Sequence, residues 1–152
     1  MNDLSPSTVE VDALFLSNSA EVQNGLAYIL GAGWTRCWPA GNQDYPVERP
    51  LAITMMFRVP WNETNVEHTF RVSIKDDDGR EVVPPVTGAF KAGRPPDLTD
   101  GASQLVVVNF GAKAKIERPG LYHIAVEVND VVRRTIQFEA IPKPGSRPVA
   151  QR

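Results

Sequence analysis

Pro119-Gly120-Leu121-Tyr122-His123-Ile124-Ala125-Val126-Glu127-Val128-Asn129-Asp130-Val131-Val132-Arg133-Arg134-Thr135-Ile136-Gln137-Phe138-Glu139-Ala140 decides the fold class. Two runs alternate apolar and polar residues on either side of Asn129-Asp130. That dipeptide tolerates the left-handed backbone of a two-residue turn, so the stretch predicts an antiparallel hairpin. A hairpin with one apolar face is not stable alone in water and must lay that face on a second sheet. The expected fold is therefore all-β, an antiparallel β-sandwich.

The rest of the chain fits that class. Its 152 residues suit one domain able to bury a core without staples. The 13 prolines and 11 glycines punctuate short runs and form no repeat. Working outward from the hairpin, Val9–Leu16 reads as a first strand, Ser17–Gly25 as a polar connection and Leu26–Trp38 as a long second strand. Residues 39–50 read as a loop. Leu51–Val59 and Val66–Lys75 alternate cleanly, with Leu51, Ile53, Met55, Phe57 and Val59 on one face and Val66, His68, Phe70, Val72 and Ile74 on the other strand's apolar face. Asp76-Asp77-Asp78-Gly79 is a tight turn, Arg80–Val83 a short run and Val86–Lys91 an edge strand. Residues 92–102 form a second loop, Gln104–Phe110 a strand and Lys113–Arg118 a linker. That makes eight or nine strands in a domain spanning 9–141, with a loose arm at 1–8 and a tail at 142–152.

Gly120-Leu121-Tyr122 resembles the tyrosine corner of immunoglobulin-like sandwiches, in which a Tyr hydroxyl ties a corner to nearby backbone. The position two residues after Tyr122 is Ile124, not the inter-sheet cysteine of antibody domains, so the resemblance is to the fold alone. A second resemblance rests on Asp12-Ala13-Leu14, on Ala20-Glu21-Val22-Gln23-Asn24-Gly25-Leu26-Ala27-Tyr28-Ile29-Leu30-Gly31-Ala32-Gly33-Trp34 and on Val59-Pro60-Trp61-Asn62-Glu63-Thr64-Asn65. These residues resemble a family of small, uncharacterised bacterial proteins of actinobacterial type with a "LYILGGGW … PWNE" signature. The likeness covers most of residues 11–140. It implies a compact bacterial domain and brings neither an activity nor any functional residue.

Composition narrows the function classes. The net charge is −2 and basic residues are scattered, so the long-range field that attracts nucleic acid or an anionic membrane is missing. The apolar runs fall short of the ~20 residues of a membrane span, and the start of the chain has no basic and apolar signal segment. The lone Cys37 forms no internal disulfide. Cytoplasm is the simplest compartment.

Candidate chemistry is sparse. His68 lies on an apolar strand face, as a structural histidine does, and His123 alternates with Tyr122 and Ile124, which turns it outward. No Gly-x-Ser-x-Gly elbow occurs, and Cys37 within a strand reads as packing. The three aspartates before Gly79 lack the spacing of a calcium loop and read as a solvated turn. Gly31-Ala32-Gly33 precedes no helix, so it is not a phosphate loop. The expectation is no catalytic residue, no metal and no cofactor.

The aromatics leave more room. Trp38, Asn42, Asp44, Tyr45 and Trp61 are the candidate partner- or ligand-binding residues, against the plainer reading of each Trp as core or corner packing. An antiparallel pairing of 26–38 with 51–59 puts Trp38 and Trp61 at opposite ends, with Trp61 near Ser17–Gly25. The stripe Arg133, Thr135, Gln137, Glu139 reads as a solvated face or an interface rim. The leading expectation is a non-catalytic interaction or structural module with a protein partner or self-association, no nucleic acid and no membrane, using loops 39–50 and 92–102. The alternative is carbohydrate or small-ligand binding through Trp38 and Tyr45. A hydrolytic enzyme built on His68 or His123 ranks below both.

Overall fold

The computed structural model describes residues 7–144. Residues 1–6 of the expected arm and 145–152 of the expected tail lie outside the described residues. The ten strands are β1 (Glu10–Ser17), β2 (Ser19–Gln23), β3 (Leu26–Leu30), β4 (Arg36–Cys37), β5 (Val47–Val59), β6 (Glu67–Asp76), β7 (Val86–Lys91), β8 (Gln104–Ile116), β9 (Gly120–Val128) and β10 (Val131–Ala140), with one 3-10 turn at Trp61–Glu63. No α-helix occurs among the described residues.

The hairpin forms as its sequence requires. β9 and β10 pair antiparallel from Val128–Val131 to Gly120–Ala140. Asn129 and Asp130 take φ of 49° and 67°, both left-handed, as a two-residue turn that matches strand twist demands. The hairpin joins a five-stranded sheet in the order β4-β10-β9-β6-β7. This sheet is mixed, because β4 runs parallel to β10 through Arg36–Glu139 and Cys37–Ala140. A second, three-stranded sheet has the order β1-β5-β8 and is antiparallel throughout.

One core lies between the two sheets. Leu51, Ile53, Met55, Phe57 and Val59 are all buried, and so are His68, Phe70, Val72 and Ile74; Val66 is exposed. Phe57 of β5 stacks on Phe90 of β7 at 4.4 Å between ring centroids, which ties one sheet to the other. Tyr122 makes the expected corner: its hydroxyl donates to the Arg118 carbonyl at 2.7 Å. Burial raises its phenol pKa.

Several expectations fail for local reasons. The long strand over 26–38 breaks into β3 and β4, because Gly31 and Gly33 take φ of 69° and 95° and cannot continue a strand. Residues 26–38 do not pair with 51–59; β3 pairs with β2, and β5 lies between β1 and β8. The polar connection contains β2, whose exposed Ser19, Glu21 and Gln23 hide a period of two. The strand at 104–110 and the linker after it are one strand, since Gly111 stays paired with Ala52. Ten strands therefore stand among the described residues, against the eight or nine expected.

The β2–β3 hairpin lies across the outer face of the three-stranded sheet. Thr54 and Ala52 alternate with core residues and point away from the core, yet both are buried, as is Ser17. Asn109 of β8, paired with Thr54, donates from Nδ2 to the Ala20 carbonyl at 2.9 Å. The hairpin leaves Leu26, Tyr28 and Leu30 exposed on its far side.

Candidate functional site

The groups with chemical reactivity are each engaged in structure. Cys37 is buried beside Ala140, and burial pushes its thiol pKa up. His123 Nε2 lies 3.1 Å from Asp77 Oδ1 on the surface. Asp76 Oδ1 accepts the backbone N–H groups of Asp78 and Arg80 at 2.9 Å each, and Asp78 pairs with Arg118. The triple-aspartate turn thus spends its carboxylates on its own backbone and neighbours. No group of three His, Cys, Asp or Glu side chains fit for a metal occurs among the described residues.

His68 is 3 % exposed and spans two elements. Nε2 is 2.9 Å from the Glu63 carbonyl and Nδ1 is 3.0 Å from Asn129 Nδ2. This end of the core also receives the chain ahead of β1. Thr8 donates from both N and Oγ1 to Glu63 Oε2 at 2.8 Å. Burial pushes the Glu63 carboxyl up, but the bonds from Ser7 and Thr8 outweigh it and hold the group below its ordinary pKa.

The predicted loop residues divide between the two ends. Trp38 is 47 % exposed and follows β4; Tyr45 precedes β5 and donates its hydroxyl to the Ile141 carbonyl at 2.6 Å. Burial, with nearby Cys37, Tyr122 and Asp44, pushes the Tyr45 phenol up to about 12. Asn42 and Asp44 are exposed, and Asp44 Oδ1 takes the Tyr45 N–H at 2.8 Å. Trp61 starts the 3-10 turn beyond Val59, at the other end. Its ring is covered by the Arg94 guanidinium at 3.8 Å, and Arg94 also bonds Thr64 and the Trp61 carbonyl. Ser17 pairs with Ala52, well down β5, and the Trp61–Glu63 turn is instead bonded to Thr8. In the stripe on β10, a bulge between Val132 and Arg134 breaks the alternation, and Arg133 bonds the Ser7 carbonyl at 2.5 Å.

A cleft that the sequence reading missed opens where β1 and β10 face each other without pairing. Phe15, Leu16, Trp34, Thr35, Ile136 and Gln137 line it, and it holds about 350 Å³. Trp34 reaches it from the crossing segment between β3 and β4, released by the two left-handed glycines. Its ring packs edge-on against Phe138 at 5.5 Å, and Arg49 Cζ lies 4.8 Å from its ring centroid. The buried Trp34 Nε1 has no hydrogen-bond partner among the described residues. Gly-Ala-Gly-Trp was the signal: glycines ahead of a tryptophan mark a chain leaving its strand. A larger groove of about 580 Å³ carries the charged Arg71, Glu127 and Asp130 on its walls, and Arg71 there already approaches both Glu81 and Glu127 at 3.6 Å.

No curated protein matches the chain. Among solved structures, the chain is similar to the Pseudomonas fluorescens alkylpurine DNA glycosylase AlkC bound to DNA containing an abasic site analog. The identity is 10 % and the TM-score 0.48, over 88 % of this chain and 30 % of the glycosylase chain. A likeness at that score assigns neither fold nor activity. The expected partners are corrected: no finding supports a protein partner or self-association, and the exclusion of nucleic acid does not stand. No described helix is long and apolar enough to cross a membrane. A family model described as "Family of unknown function (DUF6941)" matches residues 12–141.

Proposed function

The chain belongs to the DUF6941 family, and we propose from its geometry that it is a non-catalytic β-domain that holds a small apolar ligand in the cleft between β1 and β10. The observation that carries the reading is the cleft itself. Its volume falls within the ~300–1,000 Å³ of small-molecule sites, and its walls are aromatic and aliphatic with two polar side chains at hand. The non-catalytic part is supported by the structural engagement of Cys37, His68, His123 and the Asp76–Asp78 turn. The cleft takes the place of Trp38 and Tyr45 as the aromatic ligand site, because the Tyr45 hydroxyl is committed to backbone. An immunoglobulin-like single domain over 9–141, a bacterial source of the signature type and a cytoplasmic setting belong to the same proposal; the Tyr122 corner supports the first of these.

The test is titration with an anilinonaphthalene sulfonate probe, read by probe and tryptophan fluorescence. Saturable binding at one site is expected. Thr35→Trp, which fills the mouth from an exposed position, should abolish it, while Trp38→Phe should leave it intact. Absence of saturable binding, or equal binding by Thr35→Trp, rejects the cleft.

A further inference from the structure

His68 is a buried titratable group for which a ligand-binding role has no use, and its surroundings specify its protonation state. The Glu63 carbonyl only accepts, so Nε2 must carry a hydrogen. The Asn129 amide is oriented by its other contacts: Oδ1 accepts the Thr69 N–H at 3.0 Å, which leaves Nδ2 facing both Ser7 Oγ and His68 Nδ1 at 3.0 Å. An NH₂ group only donates, so Nδ1 must be bare. The ring is therefore the neutral Nε2–H tautomer. Asn129 in turn relays it to Ser7.

We propose that His68 is a proton-operated latch for the chain ahead of β1. The neutral ring holds Asn129, and Asn129 holds Ser7. A proton added at Nδ1 sets N–H against N–H in a site that is 3 % exposed. Flipping the Asn129 amide cures that conflict only by turning NH₂ onto the Thr69 N–H. The relay breaks, and the Ser7 hydroxyl loses its Asn129 tie to the end of the core, while Thr8 stays on Glu63.

The charged groups on the surrounding elements are Glu63 on the 3-10 turn, Arg94 after β7, Asp130 in the hairpin turn and Arg133 on β10. Glu67 and Lys91 flank the His68–Phe90 pair on the opposite strand face. Glu63 stays ionised above its ordinary value of 4.5, because its pKa is lowered, so it contributes no change between pH 8 and pH 5.5.

The experiment is amide exchange at Thr69, whose N–H is held by Asn129 Oδ1, by NMR, corrected for intrinsic rates, at pH 8 and pH 5.5. In the native chain, protection should fall by about tenfold, the equivalent of one lost buried hydrogen bond. His68→Gln keeps one donor and one acceptor and does not titrate, so its protection should stay level. Asn129→Asp offers Nδ1–H an acceptor and suits the left-handed position, so acid should strengthen the latch. A level profile in the native chain overturns the proposal. So does an equal fall in His68→Gln, or a fall in Asn129→Asp as steep as the native one. Should neither variant fold, imidazole nitrogen shifts of the native chain at pH 8 decide: an Nδ1–H tautomer refutes it.

Discussion

Gly88→Ala on the edge strand β7 should destabilise the protein, against the usual sign for glycine in a strand. Gly88 pairs with Phe70, and the Phe70 ring leans over it. A Cβ at Gly88 would sit 2.6 Å from both Cε1 and Cζ of that ring. Ordinary carbon contact begins near ~3.5 Å, so the ring must retreat by about 0.9 Å. It has little room, because Phe57 lies 5.6 Å away and Phe90 6.3 Å away between centroids, and those two rings are themselves stacked. Overpacking of this kind costs about 1–3 kcal/mol. Replacing glycine returns about 0.5–1 kcal/mol through the unfolded chain. The net is a loss of up to about 2.5 kcal/mol, centred on about 1 kcal/mol, or a Tm lower by about 2–4 °C at that central value for a chain of this size. Urea unfolding should show a lower midpoint at an unchanged slope. In a Phe70→Leu background, which removes the ring from above Gly88, the same substitution should cost nothing, giving a coupling of at least about 1 kcal/mol. A Gly88→Ala protein as stable as the native one, or an undiminished cost in the Phe70→Leu background, refutes the packing argument.

Three further outcomes concern Tyr122, Glu63 and Cys37. Tyr122→Phe removes the corner bond to the Arg118 carbonyl and should cost about 1–2 kcal/mol in urea unfolding; an unchanged midpoint would show the corner to be idle. Glu63 has a lowered folded pKa, so the stability it supplies is complete above its ordinary value of 4.5 and is lost as pH falls through the folded value. Acid unfolding below pH 4.5 should accordingly be shallower for Glu63→Gln, and identical profiles would contradict the assignment. Cys37 is buried with a raised thiol pKa, so a disulfide reagent should label it only at the rate of unfolding; immediate labelling of the folded chain would disprove its burial.

Alternation between apolar and polar residues was enough to read β9, β10 and the inner faces of β5 and β6, because a half-buried strand writes its burial directly into a period of two. The Asn129-Asp130 turn and the Tyr122 corner were legible for a similar reason: each is made by residues close in sequence whose backbone preferences are strong. The same local logic misplaced Leu26–Trp38, where apolar residues continue past Gly31 and Gly33 although the backbone does not.

What tertiary structure alone decided are the relations between distant segments. Thr54 and Ala52 look like solvent-side positions of β5 and are buried because the β2–β3 hairpin lies across them. Trp34 lines a cleft because the chain crosses from one sheet to the other there, and Phe70 fills the space above Gly88 because β7 lies beside β6. His68 was legible as a buried structural residue, but not as a link to Ser7, which depends on Asn129 arriving 61 positions later in the chain. Short-range alternation records which side of a strand is dry. It carries no record of which other strand, loop or side chain keeps it dry, since that is set by packing among residues far apart in sequence.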